Sequence, residues 1–314
     1  MREIKIRSFA KINLSIDITG VLESGMHQVD MIMHQLSFHD DVVVKYAPMK
    51  KKRRGEFDIR VSTNRYYIPT DERNLAYKAV QAMMEAYGRR VPGGRVEVHI
   101  FKRIPVAAGL AGGSGNGAAV LHGLNQLWKL GLSLERLCEL GATLGSDVPF
   151  CVMGQAAMNF DIPKKVRRSP LAATCGRATG TGTEIVPLPG IRKALVIAKP
   201  PIGVSTKEVY GGIDGCRIEK RPDNDALTTA LKQKDCGQIY ANCINVLENY
   251  TLRAYPKVQE LKDILQADSR VELALMSGSG PTVFAMCRTI ADAKVVCENL
   301  RQEGYEAYWT KTIK

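Results

Sequence analysis

The chain has 314 residues, of which 45% are hydrophobic and 24% charged, with a formal net charge of +12 at pH 7. This length exceeds one average domain and favours two, and the composition is typical of a globular protein. No apolar stretch approaches the roughly 18 residues of a membrane span, and the first residues alternate as a strand does, without the apolar core of a signal peptide. We therefore expect no membrane partner.

The eight cysteines are scattered and form no C-x-x-C pair, so we expect reduced thiols and a cytoplasmic protein. The five histidines are equally dispersed, which argues against a zinc site. Two basic blocks at 50–54 and 164–168 are typical of solvated surface loops. No aromatic residues are interleaved with them, so we expect no nucleic acid partner, only attraction of polyanionic substrates.

Alternating and helical patterns follow one another along the whole chain. The pattern predicts an α/β (α+β) protein with no internal repeat. Strands are predicted at 1–7, 11–18, 40–46, 57–61, 95–100, 194–198 and 283–287, and helices at 74–84, 120–128, 134–144, 223–234 and 255–266.

A glycine-rich segment at 105–119 (PVAAGLAGGSGNGAA) lies between a predicted strand and a predicted helix. A turn of this kind directs backbone N–H groups to one point near the positive end of the helix dipole, which is an anion site. The alternative is a tight structural turn. The pattern lacks the Gly-Lys-Ser/Thr of a Walker A loop and the G-x-G-x-x-G of a dinucleotide site, so we expect another kind of phosphate loop.

Two further segments stand out. Asp147 follows the predicted helix 134–144 and precedes Val148-Pro149, in a predicted turn at 146–150. Functional side chains often project from such turns, although an aspartate there is also a common turn or capping residue. A second glycine loop at 276–282 (MSGSGPT) leads into the last predicted strand.

These segments, together with 10–14 (AKINL) and 144–150 (LGSDVPF), closely resemble the GHMP kinases in order and spacing. Shorter matches at 199–200, 204–206, Tyr210 and 224–225 extend the resemblance over nearly the whole chain. The resemblance implies a two-domain GHMP kinase fold with the active site in the interdomain cleft. It also implies ATP and Mg²⁺, and a small-molecule substrate that carries a cytidylyl group.

The resemblance assigns roles residue by residue. It implies that Asp147 accepts the proton of the substrate hydroxyl, and that Lys11 keeps Asp147 ionised and offsets charge on the phosphoryl group. The alternative role for Asp147 is to orient the hydroxyl without taking its proton. Ser114 would contact a phosphate oxygen or Mg²⁺. The residues expected to bind ATP are Pro105, Ala107, Gly109, Leu110, Ala111, Gly112, Gly113 and Ser114, with Asn74 and Lys102 near the adenine.

On the substrate side, the resemblance implies that His27 reads the cytosine edge, that Tyr210 stacks on the ring, and that Asn13 and Thr206 lie nearby. Met26 departs from the family's usual tyrosine, so one face of the expected cytosine sandwich is lost or is supplied by a thioether. The alternatives are another small-alcohol GHMP kinase of the homoserine or mevalonate type, or a non-catalytic paralogue that binds nucleotide or RNA.

The predicted organisation is an N-terminal ATP-binding domain at 1–158, a basic insertion at 159–178 and a C-terminal domain at 179–314. The segment preceding residue 178 has no clear periodicity and carries one of the two basic blocks. We expect its Lys and Arg side chains to lie in solvent. A monomer or a homodimer is compatible with this organisation.

Overall fold

The computed structural model describes residues 1–314 and contains ten strands and eleven α-helices. The chain forms two compact units. Unit 1 comprises Met1–Ala10, His39–Ile104 and Ala111–Ala173, and unit 2 comprises Lys11–Phe38, Pro105–Leu110 and Thr174–Lys314. Two long strands, β1 (Arg2–Val21) and β2 (His27–Pro48), pair with each other, and each contributes residues to both units.

Unit 1 is built on β3, β4 and the parts of β1 and β2 that belong to it, and helices cover these strands. The second half of β2 runs antiparallel to β4, and β4 runs parallel to β3. The other elements of this unit are β3 (Phe57–Thr63), β4 (Gly94–Phe101), α1 (Leu75–Tyr87), α2 (Gly112–Leu127), α3 (Leu134–Ala142), α4 (Val148–Met158), α5 (Lys164–Arg167) and a short 3-10 helix at Gly88–Arg90.

The core of unit 1 follows from the periodicity of its elements. Val42, Val44 and Tyr46 alternate along β2 and are buried, as expected for a strand with one covered face. The Tyr46 ring meets Trp128 at an interplanar angle of 76°, and Phe57 stacks on Trp128 with ring centroids 5.0 Å apart. Helix α1 turns a face that includes Met83 toward this core, so the predicted helix is confirmed.

Unit 2 contains a four-stranded antiparallel sheet with the order β10-β7-β9-β8, on which α10 and α11 pack. A separate hairpin of β5 and β6 joins the first half of β2. The elements are β5 (Cys175–Thr179), β6 (Glu184–Leu188), β7 (Ala194–Lys199), α6 (Thr206–Ile213), α7 (Asn224–Gln233), α8 (Cys236–Asn242), α9 (Glu248–Ala254), α10 (Pro256–Ala267), β8 (Val271–Met276), β9 (Val283–Cys287), α11 (Ile290–Gln302) and β10 (Glu306–Lys311).

Two local expectations need correction. The turn predicted at 146–150 is shorter, because Val148 already begins α4. This helix has no amphipathic pattern, since its residues from Val148 to Ala156 are buried all round. The unpatterned segment before residue 178 contains the four-residue helix α5, and its last residues begin β5.

No helix of the protein has both the length and the apolar character required for a membrane span.

Candidate active site

The glycine loop contributes residues 105–110 to unit 2 with an unusual backbone. Ala107 and Gly109 both have positive φ, at 50° and 70°. Alternation of right- and left-handed residues makes successive N–H groups converge on a concave surface, which suits an anion. An alanine in this region is uncommon and costs free energy, so the loop conformation is fixed by its surroundings.

Those surroundings are the second glycine loop. Ser277 Oγ donates to the Gly109 carbonyl oxygen at 2.9 Å, and a Cβ atom at Gly109 would lie 2.1 Å from the Ser277 carbonyl oxygen. Gly109 is therefore required both by its φ and by the closeness of the neighbouring backbone. The two glycine loops pack against each other within unit 2, a contact that neither motif alone predicts.

Thr206, Lys11 and Asn13 adjoin these two loops in unit 2. The Thr206 hydroxyl lies 3.0 Å from Ser279 Oγ in the second loop. Lys11 donates its backbone N–H to the Leu110 carbonyl at 3.1 Å, and its Nζ donates to Asn13 Oδ1 at 2.6 Å. Lys11 is only 4% exposed, so it is not an ordinary surface lysine, and its buried ammonium beside the glycine loop is suited to binding negative charge.

His27 and Tyr210 also lie together in unit 2. Their rings meet edge to face with centroids 5.2 Å apart. His27 Nε2 is 2.8 Å from Asp214 Oδ1. A cavity of about 300 Å³ is lined by Asp214 together with Ile18, Ile213, Cys216, Ile218 and Arg221. Met26 is 50% exposed. The pair thus combines a flat aromatic surface with a polar edge, the chemistry that recognises a base.

The start of α2 belongs to unit 1. Ala111 precedes the helix in the left-handed conformation, with φ 53° and ψ 30°. The first intrahelical bond runs from Gly115 N–H to the Ala111 carbonyl at 2.9 Å, which leaves the N–H groups of Gly112, Gly113 and Ser114 without intrahelical acceptors. These N–H groups and the helix dipole give the start of α2 the features that suit an anion.

Asp147 lies in unit 1 immediately before α4. It is half-buried, has right-handed backbone dihedrals, and its side chain does not cap the helix. A carboxylate at this point is close to the positive end of the α4 dipole. The capping alternative considered from the sequence is therefore not what the structure has.

The polar atoms of Asn74 and Lys102, the residues expected near the adenine, are engaged within unit 1. Asn74 caps α1, since its Oδ1 accepts from Ala76 N–H at 2.9 Å and its Nδ2 donates to the Pro69 carbonyl at 2.8 Å. Lys102 is 5% exposed and its Nζ donates to Asp40 at 2.5 Å. Both side chains thus have structural partners, and contact with the adenine stays a prediction.

Sequence reasoning missed Asn245, which holds the second glycine loop. Its Nδ2 donates to the carbonyl oxygens of Met276 and Gly278, each at 2.8 Å, and its Oδ1 accepts from Leu247 N–H at 3.1 Å. The residue is 1% exposed. No signal marked it, because an isolated asparagine outside any motif is ordinarily a surface or turn residue. Asp214, beside His27, was missed for the same reason.

No group of three or more His, Cys, Asp or Glu side chains suitable for a metal ion is present. Unit 2 contains the loop at 105–110, the buried ammonium of Lys11 and the His27–Tyr210 pair, whereas unit 1 contains the start of α2 and the half-buried carboxylate of Asp147. Backbone N–H donors, an ammonium and a carboxylate are the kinds of group that phosphoryl transfer uses, because that reaction depends mainly on positioning and charge stabilisation.

Comparison with known proteins bears directly on this arrangement. A protein from Alkaliphilus metalliredigens named 4-diphosphocytidyl-2-C-methyl-D-erythritol kinase is 40% identical over 301 residues, which cover 96% of this chain and 93% of the relative. The protein of that name from Alkaliphilus oremlandii is 38% identical over 314 residues, covering 99% and 97%.

A crystal structure of 4-(cytidine 5'-diphospho)-2C-methyl-D-erythritol kinase superposes with a TM-score of 0.76 at 26% identity, and the match covers 99% of this chain and 100% of that one. The family described as GHMP kinases N terminal domain matches residues 74–155, and GHMP kinases C terminal matches residues 227–306. The resemblance drawn from the sequence motifs is confirmed: the chain belongs to the GHMP kinases.

Proposed function

We propose that this protein transfers the γ-phosphoryl group of ATP to the 2-hydroxyl of 4-diphosphocytidyl-2-C-methyl-D-erythritol, a step toward isoprenoid precursors that does not pass through mevalonate. The observation that carries the proposal is the 40% identity, over 96% of the chain, to a relative that bears the name of this kinase. The buried Lys11 and the half-buried Asp147 are both present, which favours an active enzyme over a non-catalytic paralogue.

In the proposed reaction the oxygen of the substrate hydroxyl attacks the γ-phosphorus, the bond from the γ-phosphorus to the β-phosphate oxygen breaks, and ADP leaves. Asp147 receives the proton of the hydroxyl or orients that hydroxyl. Lys11 offsets the charge that spreads over the transferring phosphoryl oxygens. Its burial strengthens this effect, because electrostatic interactions are less screened away from water. Both roles were expected from the family resemblance, and the burial of Lys11 supports its role.

The ATP phosphates would bind to the N–H groups of the glycine loop and of the start of α2. The loop residues concerned are Pro105, Ala107, Gly109 and Leu110, and those at the helix are Ala111, Gly112, Gly113 and Ser114. Mg²⁺ is usually held through one or two protein oxygens and the substrate phosphates, so the half-buried hydroxyl of Ser114 fits such an ion. When bound, the ion would neutralise charge on the phosphates.

Recognition of the cytidine would fall to His27 and Tyr210, with Asn13 and Thr206 toward the rest of the substrate. The edge-to-face contact of the two rings supports this role, because it presents one aromatic face and one polar edge. Met26, exposed at the end of the preceding turn, would supply a polarisable thioether where the family usually has an aromatic ring.

The proposed setting is the cytoplasm. All eight cysteines are free, and five of them are buried, a pattern typical of reducing compartments. ATP and the cytidylyl alcohol are the proposed partners.

The proposal is tested by a coupled assay of ADP release with purified protein and a panel of alcohols. We expect turnover with 4-diphosphocytidyl-2-C-methyl-D-erythritol and none above background with homoserine or mevalonate. Turnover with homoserine or mevalonate, without turnover of the cytidylyl alcohol, would assign the protein to another branch of the family. An absence of turnover with every alcohol, together with RNA binding in a gel-shift assay at moderate salt, would favour the non-catalytic alternative.

A further inference from the structure

A fully buried carboxylate joins three segments of unit 1 beside the start of α2. Asp40 is 0% exposed and accepts four hydrogen bonds. Its Oδ2 accepts from Lys102 Nζ at 2.5 Å and from Asn116 Nδ2 at 2.9 Å, and its Oδ1 accepts from the backbone N–H groups of Arg103 at 2.7 Å and Ile104 at 2.8 Å. These bonds connect β2, the segment that follows β4, and α2.

The first turn of α2 packs directly against these side chains. A Cβ atom at Gly112 would lie 2.5 Å from Lys102 Nζ, and one at Gly115 would lie 2.5 Å from Ser8 Oγ. Asn116 Nδ2 also lies 3.2 Å from Ser8 Oγ, to which it donates. We call Ser8, Asp40, Lys102 and Asn116 the Asp40 cluster. Gly112 and Gly115 are thus required at the start of α2, because a larger residue at either position would clash with a side chain of this cluster.

Stability alone does not account for the cluster. Burying a carboxylate and an ammonium costs several kcal/mol per ion, and well-packed apolar residues of similar volume often serve stability as well or better. Burial lowers the pKa of Lys102, although the nearby Asp40 carboxylate opposes this effect. Charge-assisted hydrogen bonds also give geometric specificity, because each fixes the position and orientation of the groups that it joins.

We propose that the Asp40 cluster is a positioning device for the nucleotide phosphates. It holds the first turn of α2 so that the free N–H groups of Gly113 and Ser114 already point to the phosphate site before ATP arrives. Prepositioned donors lose little free energy to reorganisation when charge binds, and a misplacement of about 1 Å can cost a large factor in rate or affinity. The inference rests on the proposed function, since it requires α2 to bind ATP.

The first test is Asn116→Ala, which cuts the link between α2 and the carboxylate while leaving the Asp40–Lys102 ion pair in place. Loss of one well-aligned contact should raise KM for ATP about tenfold. The change should leave kcat and KM for the alcohol within about threefold of wild type, as expected when ground-state binding alone is weakened. A KM for ATP equal to that of wild type, in a folded variant, contradicts the inference.

The second test is the pair Asp40→Asn and Lys102→Met, which removes both charges together and keeps the side-chain volumes similar. We expect the thermal midpoint to stay near that of wild type and the Kd for ATP, measured by calorimetry, to rise about tenfold, the effect of about 1.4 kcal/mol. The matched control is Glu272→Gln with Lys193→Met, which removes an ion pair of 3.1 Å on the four-stranded sheet of unit 2 and should leave the Kd for ATP unchanged.

The outcomes separate the inference from the function it rests on. ATP binding is measured without any alcohol, so wild type that binds no ATP would contradict the proposed function itself. If the wild-type protein binds ATP and both folded cluster variants bind ATP with the same affinity as wild type, the proposed function stands and the cluster has a structural role only.

Discussion

Lys11 and Asp147 are the two charged residues on which the proposed reaction depends most. Lys11 is buried and bonded to Asn13, whereas Asp147 is half-buried before α4. An ammonium that is shielded from water acts on nearby negative charge with little screening. A carboxylate that keeps some contact with water can exchange its proton with solvent. Each residue therefore has the exposure that its proposed role requires.

Asp147→Asn should bind ATP normally yet turn over at least about a hundredfold more slowly, because an amide cannot accept the hydroxyl proton. Calorimetry gives the Kd for ATP, and the coupled assay gives kcat. Asp161→Asn, at an exposed aspartate of the same unit, is the matched control and should change neither. Turnover of Asp147→Asn at the wild-type rate would remove Asp147 from the reaction.

His34 is a residue whose protonation opposes folding. It is fully buried, its Nε2 accepts from Ile191 N–H at 3.0 Å, and its Nδ1 lies 3.0 Å from the Gln35 carbonyl. Burial lowers the pKa of His34 to about 4, from 6.5. A proton added at Nε2 would face the Ile191 N–H group, so the folded protein keeps this imidazole neutral.

The sign of the resulting pH dependence follows from the lowered pKa. Above pH 6.5 the contribution of the neutral His34 to the free energy of unfolding is fully present. As the pH falls from 6.5 to about 4 this contribution is lost, because His34 of the unfolded chain binds a proton before His34 of the folded protein does. His34→Gln should reduce the loss of unfolding free energy by about 1 kcal/mol for each pH unit in this window. Urea unfolding at pH 7.5, 6 and 5 measures how the free energy of unfolding changes with pH. The same change with pH in the variant and in wild type would contradict this role of His34.

At the scale of elements, the start of α2 shows that one glycine-rich sequence serves several purposes. Gly115 is needed because Ser8 lies too close for a side chain, whereas a Cβ atom at Gly113 would meet only Leu75 Cδ1, at an ordinary distance of 3.8 Å. The two positions look alike in the sequence. Their neighbours, which are remote in the chain, make them different.

Gly115→Ala should destabilise the protein by about 1–3 kcal/mol, as expected for overpacking. Adding Ser8→Ala should recover most of the loss, because it removes the oxygen that the new methyl group meets. Gly113→Ala is the control and should change the thermal midpoint little. If Gly115→Ala and Gly113→Ala proved equally stable, the close contact at Ser8 would not be what selects glycine.

The sequence predicted elements well where an apolar period exists and poorly where it does not. Helix α1 and strand β4 were expected close to their observed bounds, because each has one apolar face. Helix α4 was missed, since a helix buried on all sides has no period to detect. Both glycine loops were singled out as motifs, and the first was predicted to bind phosphate. Their mutual packing through Gly109 and Ser277 depends on tertiary structure, as does the bond from Asn245 to the second loop.

At the scale of the whole molecule, the net charge of +12 is carried partly by exposed blocks. Lys50, Lys51, Arg53 and Arg54 are exposed, while Lys52 pairs with Asp58 at 2.7 Å. The expectation that this block is a solvated loop is confirmed. A surface of one predominant sign accelerates the approach of oppositely charged ligands over distances beyond direct contact.

We expect kcat/KM for ATP to fall several-fold as ionic strength rises from about 0.05 to 0.5 M, because the screening length shortens from beyond 10 Å to a few ångströms. The value of kcat should change little. Replacing Lys50, Lys51, Arg53 and Arg54 by glutamine should weaken this salt dependence without changing kcat. Identical salt profiles for the variant and wild type would show that the block does not attract the nucleotide.

The family motifs allowed candidate site residues to be named from the sequence, but they could not reveal which polar side chains these residues contact. Lys102 was expected near the adenine, and its ammonium is held by Asp40, which lies in no motif. Asn74 was expected there as well, and its amide caps α1. Partners that lie far away in the chain are set by the fold, and no local pattern encodes them.

The continuity of β1 and β2 through both units has a consequence for how this chain can be inherited. Neither unit is a single stretch of sequence, since unit 2 takes Lys11–Phe38 from near the amino terminus and unit 1 resumes at His39. A recombination event at residue 158 or 178 would therefore transfer a gene segment whose product lacks strands that it needs to fold. We therefore expect the gene to be transferred and duplicated only as a whole. A fusion of one half of this chain to an unrelated protein should yield insoluble polypeptide.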